Sequence, residues 1–232
     1  MDLKYSRNLI KAAALVAVGI TAAMSSATAA TLTFSGSVAS TLTDWAQNIN
    51  ITKFDSGLGT LTGIEITVTT SATTSITVEN TSLSSSSGNV RTEITLSLLD
   101  PSGFLVGSNP FIDGFIPSVA ATYSLNAGES VVLGPYSRNL SSGPVDYSDS
   151  DILSEFAGVG NIVLTGTTFT QTLLGNSGGN TSSSQVTTAN ANVKVVYTYD
   201  AVPEPGTYAL LGLGLGAGGV AYLRNRRSAV KA

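Results

Sequence analysis

The side chains that could perform catalysis in this chain are carboxylates, serine paired with lysine, or tyrosine. The 232 residues include no histidine and no cysteine. This composition excludes thiolate nucleophiles, histidine-dependent triads, disulfides and the usual structural zinc sites. Two carboxylates about 5 to 10 Å apart are the machinery of a glycoside hydrolase. The acidic residues formally available for such a pair are Asp44, Asp55, Glu65, Glu79, Glu93 and Glu129.

Two features argue against that chemistry. Glycan hydrolases usually stack sugar rings on aromatic side chains, whereas this chain has a single tryptophan, Trp45, beside a predicted strand. We therefore predict that Trp45 is a core anchor. Glu65 and Glu93 alternate with apolar residues in extended segments, which predicts that both lie on the solvent face of a sheet. We expect that the chain is not an enzyme, and a carboxylate-dependent glycan hydrolase remains the least favoured hypothesis.

A short acidic stretch is the best candidate for a metal site. Asp146, Asp149 and Asp151 lie within six residues, among hydroxyl side chains. Ca²⁺ takes roughly six to eight oxygen ligands, of which this stretch could supply several. It lacks the glycine and the distal glutamate of an EF-hand loop. The alternative is a solvated turn in which Asp149 or Ser150 caps a short helix over 151–156. We expect no cofactor and keep these aspartates as calcium candidates.

The region between the two ends of the chain is strongly acidic. Residues 31–201 contain four basic and thirteen acidic side chains, a net charge of −9. Proteins that bind nucleic acids draw much of their affinity from basic patches that face the phosphates, and this region has none. We therefore expect no nucleic acid among the partners.

The elements that must position these residues are strands. β-Branched and other apolar residues alternate with polar ones, many of them threonine, which is the pattern of strands buried on one face. The predicted strands are 61–68, 76–78, 90–98, 31–38, 42–51, 131–133, 161–169, 169–174 and 192–199. Stretches rich in Ser, Gly, Pro or Asn predict loops over 82–89, 100–117 and 175–184. This pattern predicts an all-β fold, an antiparallel β-sandwich of jelly-roll type.

The first 30 residues have the three parts of a secretory signal peptide. A basic start precedes an apolar run over 12–24, and small residues follow it. The run is well short of the ~20 residues that span a bilayer as a helix. The small residues at the cleavage site are Ala27, Ala29 and Ala30. We predict a signal helix over 1–30 that signal peptidase removes after Ala29 or Ala30.

The C-terminal end contains a second apolar run. Residues 208–223 reach about 24 Å as a helix, which is a thin but sufficient span. The tetrapeptide before the run is Val202, Pro203, Glu204 and Pro205, and the basic residues after it include Arg224, Arg226 and Arg227. Basic residues after a span favour a cytoplasmic end, so we predict a transmembrane helix at which translocation stops. An ordinary single-span anchor is the alternative.

These features resemble the PEP-CTERM sorting signal of Gram-negative bacteria. The resemblance is carried by Pro203-Glu204-Pro205, one apolar span and a terminal basic tail, in a chain that opens with a signal peptide. It implies processing by exosortase, a membrane transpeptidase, in bacteria that make exopolysaccharide and live in biofilms. The segment is also called the ice-binding protein C-terminal domain. An ice-facing solenoid is not expected, because no motif repeats at a fixed short period.

The central region resembles the choice-of-anchor E domain. The resemblance rests on short words spread over the region: 33–36, 43–45, 54–61, 79–80, 156–160 and 195–199. It implies an exported module that is joined to different surface anchors and has no established biochemical activity.

The sequence thus predicts three parts: a signal peptide over 1–30, an exported domain over 31–201 and a sorting signal over 202–232. We expect export through the inner membrane, transient anchoring by the C-terminal helix, and a final location on the cell surface or outside the cell. The leading hypothesis is a structural or adhesive surface or matrix protein. The alternative is a carbohydrate- or calcium-binding adhesion module with its ligand on the loops or a sheet face. Expected partners are signal peptidase, exosortase and the inner membrane, with exopolysaccharide as a further candidate.

Overall fold

The computed structural model describes residues 29–202, and strands dominate this range. The eight strands are β1 (Ala29–Leu42), β2 (Ala46–Thr52), β3 (Gly59–Asn80), β4 (Ser86–Leu99), β5 (Ile112–Leu125), β6 (Ser130–Tyr147), β7 (Asn161–Gly178) and β8 (Thr181–Ala201). The helical elements of the same range are 3-10 turns at Ser56–Leu58 and Phe104–Ser108 and one short helix, α1 (Ser150–Phe156).

The strands form two four-stranded sheets. The first sheet has the order β1-β8-β3-β6 and the second the order β2-β7-β4-β5. In this arrangement β1 lies beside β8, β2 beside β7, β3 beside β6 and β4 beside β5, as in a long hairpin that has been rolled up. That wrapping is the jelly roll. The predicted antiparallel β-sandwich is confirmed, and the two predicted flanking helices, 1–30 and 208–223, fall largely or wholly outside the described residues.

No helix within residues 29–202 is both long enough and apolar enough to cross a membrane.

Side-chain alternation builds the interior. Along β3, the even-numbered residues from Ile64 to Asn80 are all buried, and their odd-numbered neighbours are half-buried or exposed. Successive side chains of a strand point to opposite faces, so the apolar period of two in the sequence maps directly onto the inner face. The same face includes Thr70 and Thr74, where the sequence has no apolar residue to mark it.

The predicted loops were too wide. β4 already begins at Ser86, β5 covers Ile112–Leu125, β7 runs to Gly178 and β8 begins at Thr181. The two predicted strands 161–169 and 169–174 form one strand, β7. The predicted strand 42–51 starts too early, because β2 begins at Ala46. The error has a physical cause: serine, glycine and asparagine weaken strand propensity, but the ladder bonds are made by the backbone. Ser86 to Asn89 pair with both β5 and β7.

Prolines lie only where the sheets tolerate them. Pro117 lies in β5, and Pro135 and Pro144 lie in β6, and both strands are at sheet edges. Each proline lies at an irregularity in the strand register. The irregularity at Pro117 is opposite residues 90–92, that at Pro135 is opposite 74–76, and that at Pro144 is opposite 67–69. Proline cannot donate to a ladder, so an edge strand or bulge is where it fits.

The interior is divided along the strands. The largest apolar cluster lies at the end near α1 and includes Phe54, Phe156 and Tyr197. Two smaller clusters follow towards the other end, one around Ile94 and the other around Ile76. The polar group between them is the threonine cluster, which we define as Thr74, Thr92 and Thr187. The hydroxyl of Thr74 is hydrogen-bonded to Thr92 of the other sheet at 3.0 Å and to Thr187 of the neighbouring strand β8 at 2.7 Å.

Candidate functional site: the sorting junction and the polar clusters

The sorting junction is the place where β8 leaves the fold. The backbone N–H of Val202 donates to the carbonyl of Leu58 at 3.0 Å. The residue after Leu58, Gly59, has a φ of +154°, and a Cβ there would lie 2.0 Å from the carbonyl oxygen of Asp200. Glycine therefore permits this close approach of the two backbone segments. Val202 is the one residue between the end of β8 and Pro203, so no linker precedes the predicted motif.

Most of the predicted processing residues lie outside the described range. The residues outside this range are Ala27, the motif residues Pro203, Glu204 and Pro205, and the stop-transfer residues Arg224, Arg226 and Arg227. Ala29 and Ala30 are described, and they are the first two residues of β1. Cleavage after either alanine would leave β1 at the start of the mature chain.

The calcium candidates are spread over a strand end and a helix start. Asp146 lies in β6 opposite Glu65 of β3. Asp149 is the N-cap residue of α1, although its side chain makes no capping hydrogen bond, and Asp151 is in the first helical turn. Within residues 29–202, no group of three or more acidic side chains is close enough to hold a metal ion.

The six carboxylates considered for hydrolysis occupy separate places. Asp44 Oδ1 accepts the backbone N–H of Thr170 at 2.8 Å, and Glu65 pairs with Lys194 at 3.6 Å. The carboxylate of Glu93 accepts a hydrogen bond from the amide of Gln171. The remaining three, Asp55, Glu79 and Glu129, lie before a 3-10 turn, at the end of β3 and in the β5–β6 turn.

Glu129 illustrates what such a carboxylate does here. It accepts the backbone N–H of Asn126 at 2.8 Å and the side-chain amide of the same residue at 3.1 Å. These two hydrogen bonds hold the pKa of Glu129 below its usual value, because they favour the ionised form. The side chain closes the tight turn that joins β5 to β6, so its role is conformational.

A carboxyl pair that the sequence analysis missed joins a loop to α1. Asp100, at the end of β4, is buried and accepts the backbone N–H groups of Phe104 and Leu105 at 3.0 and 2.9 Å. Glu155 Oε1 accepts the N–H of Ser102 at 3.2 Å, and its buried Oε2 faces no protein donor. A proton on Oε2 lets Glu155 donate to Asp100. The signal in the sequence is the turn Asp100-Pro101-Ser102-Gly103, with the aspartate placed to cap the 3-10 turn after it.

The pKa values of the two carboxyl groups are shifted in opposite directions. Burial opposes the ionisation of Asp100, yet the hydrogen bonds from Glu155, Leu105 and Phe104 together hold its pKa below the usual value. Burial, followed by the hydrogen bond and negative charge of Asp100, raises the pKa of Glu155. A pair in which one acid is lowered and the other raised shares one proton over an interval of pH. Both carboxyl groups are occupied in holding the loop on α1.

The predicted core anchor, Trp45, is only 8% exposed. Its indole N–H donates to the carbonyl of Ala189 at 3.3 Å, and its own carbonyl accepts from the N–H of Thr168 at 3.0 Å. It therefore connects β8 of the first sheet to β7 of the second. A sugar platform built on Trp45 is excluded, because the indole ring is covered.

The large aromatic residue on a sheet surface is instead Phe169, at 57% exposed. It lies in β7, an inner strand flanked by β2 and β4, opposite Thr95. Thr167 and Gln171 are its neighbours on the same face by strand alternation. On the same sheet Arg91 lies 3.6 Å from the ring centroid of Phe115. The alternation along β7 could have predicted this position. Ile162 and Leu164 point inward, so the odd-numbered residues, including Phe169, point outward.

A shallow depression of about 360 Å³ lies on the outer side of the first sheet. Glu65 and Asp146 face each other there across β3 and β6, and Tyr147 lies beside them. The hydroxyl of Tyr147 donates to Ser108 at 2.8 Å. Burial is the main cause that raises the pKa of Tyr147, so its phenol stays protonated at neutral pH. The depression thus brings two carboxylates near each other, and one of them, Glu65, is paired with Lys194.

The comparison with protein families identifies the C-terminal segment. A model of the PEP-CTERM protein-sorting motif matches residues 201–227. The match indicates an exported chain that is anchored in the membrane at its C-terminus before exosortase processes it. No curated protein matches this chain.

The comparison with solved structures gives distant likenesses to virus particles. A structure of the Gx strain of infectious bursal disease virus is 13% identical, with 80% of this chain and 44% of that chain covered and a TM-score of 0.18. An empty capsid of Triatoma virus is 9% identical, with 77% and 93% covered and a TM-score of 0.19. The 60-mer BFDV capsid protein is 11% identical, with 78% and 99% covered and a TM-score of 0.20. This chain spans less than half of the first of these. TM-scores this low do not establish a shared fold.

Proposed function

We propose that this chain is a structural or adhesive protein of the cell surface or the extracellular matrix of a biofilm-forming, exopolysaccharide-producing Gram-negative bacterium. It acts without catalysis and without a cofactor. Signal peptidase removes the N-terminal segment and exosortase processes the C-terminal one. The observation that supports this most directly is the sorting motif at residues 201–227, which follows β8 without a linker.

The ionisable groups of the sandwich support a non-catalytic role. The interacting carboxyl groups of Asp100 and Glu155 hold a loop on α1, and Glu65 is paired with Lys194. The resemblance of the central region to the choice-of-anchor E domain agrees with a module whose purpose is to be displayed. That resemblance stays a prediction.

The test is the covalent state of the protein in its native host. We would measure intact mass and sequence both termini of the protein from envelope and culture fractions. The expected species begins near Ala30 and ends close to Pro203. A Glu204→Ala variant should keep its C-terminal segment and stay in the inner membrane. Glu79→Ala makes the same chemical change on an exposed strand end and should be processed normally. An uncut wild-type C-terminus in the inner membrane would refute the proposal and leave an ordinary single-span protein.

A second candidate function, a carbohydrate-binding adhesion module, is favoured by the exposed ring of Phe169. Sugar rings stack on exposed aromatic faces while their hydroxyls bond to nearby polar side chains. The outer face of the second sheet provides both, because Phe169 is surrounded by Thr95, Thr167 and Gln171. The ligand class would be a neutral or mixed polysaccharide, since Arg91 and Glu93 give this face both charges.

Affinity electrophoresis in gels that contain the host exopolysaccharide tests this candidate. Phe169→Ala should abolish the retardation of the wild-type protein. Val163→Ala removes another exposed side chain on the same strand and the same face, and it should leave the retardation unchanged. If both variants or neither lose retardation, Phe169 is not a platform.

A further inference from the structure

The two lateral sides of the sandwich are protected against strand addition to different degrees. One side is formed by the edge strands β5 and β6, the other by β1 and β2. Edge strands present free backbone donors and acceptors, and proteins guard them with prolines, charges, bulges or short length. The β5/β6 side has three prolines and three register irregularities, together with the charged residues Asp113, Arg138 and Asp146.

The other side has fewer of these devices. β1 and β2 contain no proline and no charged residue. β2 is protected by its length, since it has seven residues and pairs only with 161–167 of β7. β1 has 14 residues, and among the strands that the structure describes, β8 is the one beside it. β1 is therefore the open edge of the molecule.

The inner face of the sheet is also incomplete at β1. Val193, Val195 and Tyr197 of the neighbouring strand β8 are fully buried. Leu32 and Phe34 of β1 point to the same side but are only partly buried, although the ring of Phe34 contacts Tyr197 at a centroid distance of 5.8 Å. A further strand beside β1 would cover them.

We propose that β1 pairs antiparallel with β1 of a second copy of this chain, in a register centred on Ser35. A register that keeps inner residues opposite inner residues must pair even-numbered with even-numbered positions. Centring on Ser35 sets Leu32 opposite Val38 and Phe34 opposite Gly36. A centre at Gly36 would instead set Leu32 opposite Ser40.

The composition of β1 suits a copy of itself. On the inner face Leu32 lies opposite Val38, which forms an apolar pair. Phe34 lies opposite Gly36, which is already covered by Ile49, Ile51 and the carbonyl of Asn50 of the same chain. On the outer face Thr33 lies opposite Ser37, which allows hydroxyl hydrogen bonds across the strands. The exported region has a net charge of −9, but β1 contains no charged residue. Electrostatic repulsion between two copies is therefore weak where their β1 strands meet.

The pairing is large enough to hold two copies together. In a mature chain that begins at Ala30, eleven residues of β1, 30–40, pair in this register, which gives about ten ladder hydrogen bonds. An ordinary protein–protein interface has about ten. The inference does not depend on sorting, because the edge is a property of the sandwich.

Cysteine cross-linking tests the register directly. The chain has no cysteine, so a single introduced thiol can form a disulfide only with another molecule. Opposite Cα atoms of an antiparallel pair lie about 4.5 to 5.5 Å apart, within the range of a disulfide. We would produce full-length Ser35→Cys with its signal peptide in a Gram-negative host, where the exported domain meets an oxidising periplasm. Non-reducing gels should show a dimer that a reductant dissolves.

The controls separate strand pairing from chance collision. Ser137→Cys places an exposed thiol on the guarded edge strand β6 and should stay monomeric. Thr33→Cys and Ser37→Cys should each stay monomeric alone and form a mixed disulfide dimer when co-produced. The proposal is overturned by a Ser137→Cys dimer of equal yield, or by a monomeric Ser35→Cys whose thiol reacts with a maleimide. Both readouts are independent of the C-terminal processing measured above.

Discussion

Two regions of the sandwich interior are held together by different kinds of contact. Near α1, aromatic rings pack against each other, with Phe54 and Tyr197 at a centroid distance of 6.0 Å and Phe156 and Tyr197 at 6.5 Å. Farther along the same strands, the threonine cluster of Thr74, Thr92 and Thr187 replaces apolar contact with hydrogen bonds. All three threonines are buried.

This difference shows how apolar and polar contacts together fill the interior of the jelly roll. Hydrophobic contact is non-directional and scales with the area removed from water, so a few aromatic rings stabilise one end strongly. Small threonines contribute less area, and their hydroxyls must find partners because burial of an unpaired hydroxyl is costly. The end near α1 should therefore respond to loss of volume, whereas the threonine cluster should respond to loss of pairing.

The largest expected effect is truncation at the aromatic end. Phe54 is fully buried and contacts Tyr197 and Tyr199, so Phe54→Ala should lower the free energy of unfolding by about 3–5 kcal/mol. The buried Trp45 is the single tryptophan, so its fluorescence during urea titration measures the change. Exposed Phe104→Ala is the matched control and should stay within about 0.5 kcal/mol of wild type. An equal loss in both variants would mean that the aromatic cluster adds little.

A smaller effect is expected when one member of the threonine cluster loses its hydroxyl. Thr74→Val keeps the volume but removes the group that bonds to both Thr92 and Thr187, and it should cost about 1–3 kcal/mol. The hydroxyl of Thr92 keeps its hydrogen bond to Gln185 at 2.7 Å, whereas the hydroxyl of Thr187 loses its partner. The double variant Thr74→Val, Thr187→Val removes that unpaired hydroxyl as well and should recover part of the loss. Urea titration measures the free energy of unfolding of both variants. A double variant that loses twice as much as the single one would contradict the cooperative pairing.

The indole hydrogen bond of Trp45 should contribute about 1 kcal/mol. Trp45→Phe keeps most of the ring burial and removes the N–H that donates to Ala189. Circular dichroism during thermal unfolding is the measurement, because this variant lacks the fluorescent probe. Tyr123→Phe, which removes a hydroxyl donor to Gly175 in the second sheet, is a comparison of the same kind. A Trp45→Phe variant as stable as wild type would show that ring burial alone anchors the β1–β2 connection.

The smallest effect concerns pH and the pair that holds a loop to α1. Glu155 has a raised pKa, so its contribution to stability is complete below its ordinary pKa of 4.5 and is lost as the pH rises through the raised value. Asp100 has a lowered pKa, so its contribution is present above 3.8 and is lost as the pH falls through the lowered value. Glu155→Gln keeps a donor for Asp100 and does not titrate.

Melting temperatures measured from pH 4 upward test whether the contribution of Glu155 to stability falls as the pH rises. Wild type should lose stability as Glu155 ionises, whereas Glu155→Gln should lose less over the same interval. Glu79→Gln, on an exposed strand end, controls for the change in net charge. A Glu155→Gln variant that is less stable than wild type at neutral pH would show that the ionised pair is favourable.

The alternation of side chains is sufficient to predict the fold, because it is set by the pleat of the strand. Residues 61–68 and 90–98 show it plainly, and both lie in the strands expected for them. The short helix over 151–156 was also predictable and begins one residue earlier, at Ser150. The extent of the strands was not predictable, since backbone pairing carries β4 and β7 through serine and glycine.

The surface and interior roles of single residues were only partly predictable. Composition indicated that Trp45 is buried, and the C-terminal motif was recognisable from its order along the chain. The inward position of Thr74 and the contact of Asp100 with Glu155 depend on residues 18 or more positions apart that meet only in the folded sheets. The exposure of Phe169 was missed because two separate strands were predicted to meet at this residue. In one continuous strand, the alternation of side chains places its ring on the outer face.

The position of β8 determines how the molecule would respond to a pull. β8 lies between β1 and β3 in the first sheet, and it ends one residue before the segment that holds the chain at the membrane. Because β8 has a neighbouring strand on both sides, its extraction requires the hydrogen bonds of two ladders to break. A strand at the sheet edge would give way along one ladder only. The fold thus attaches its tether to a strand that is hard to extract.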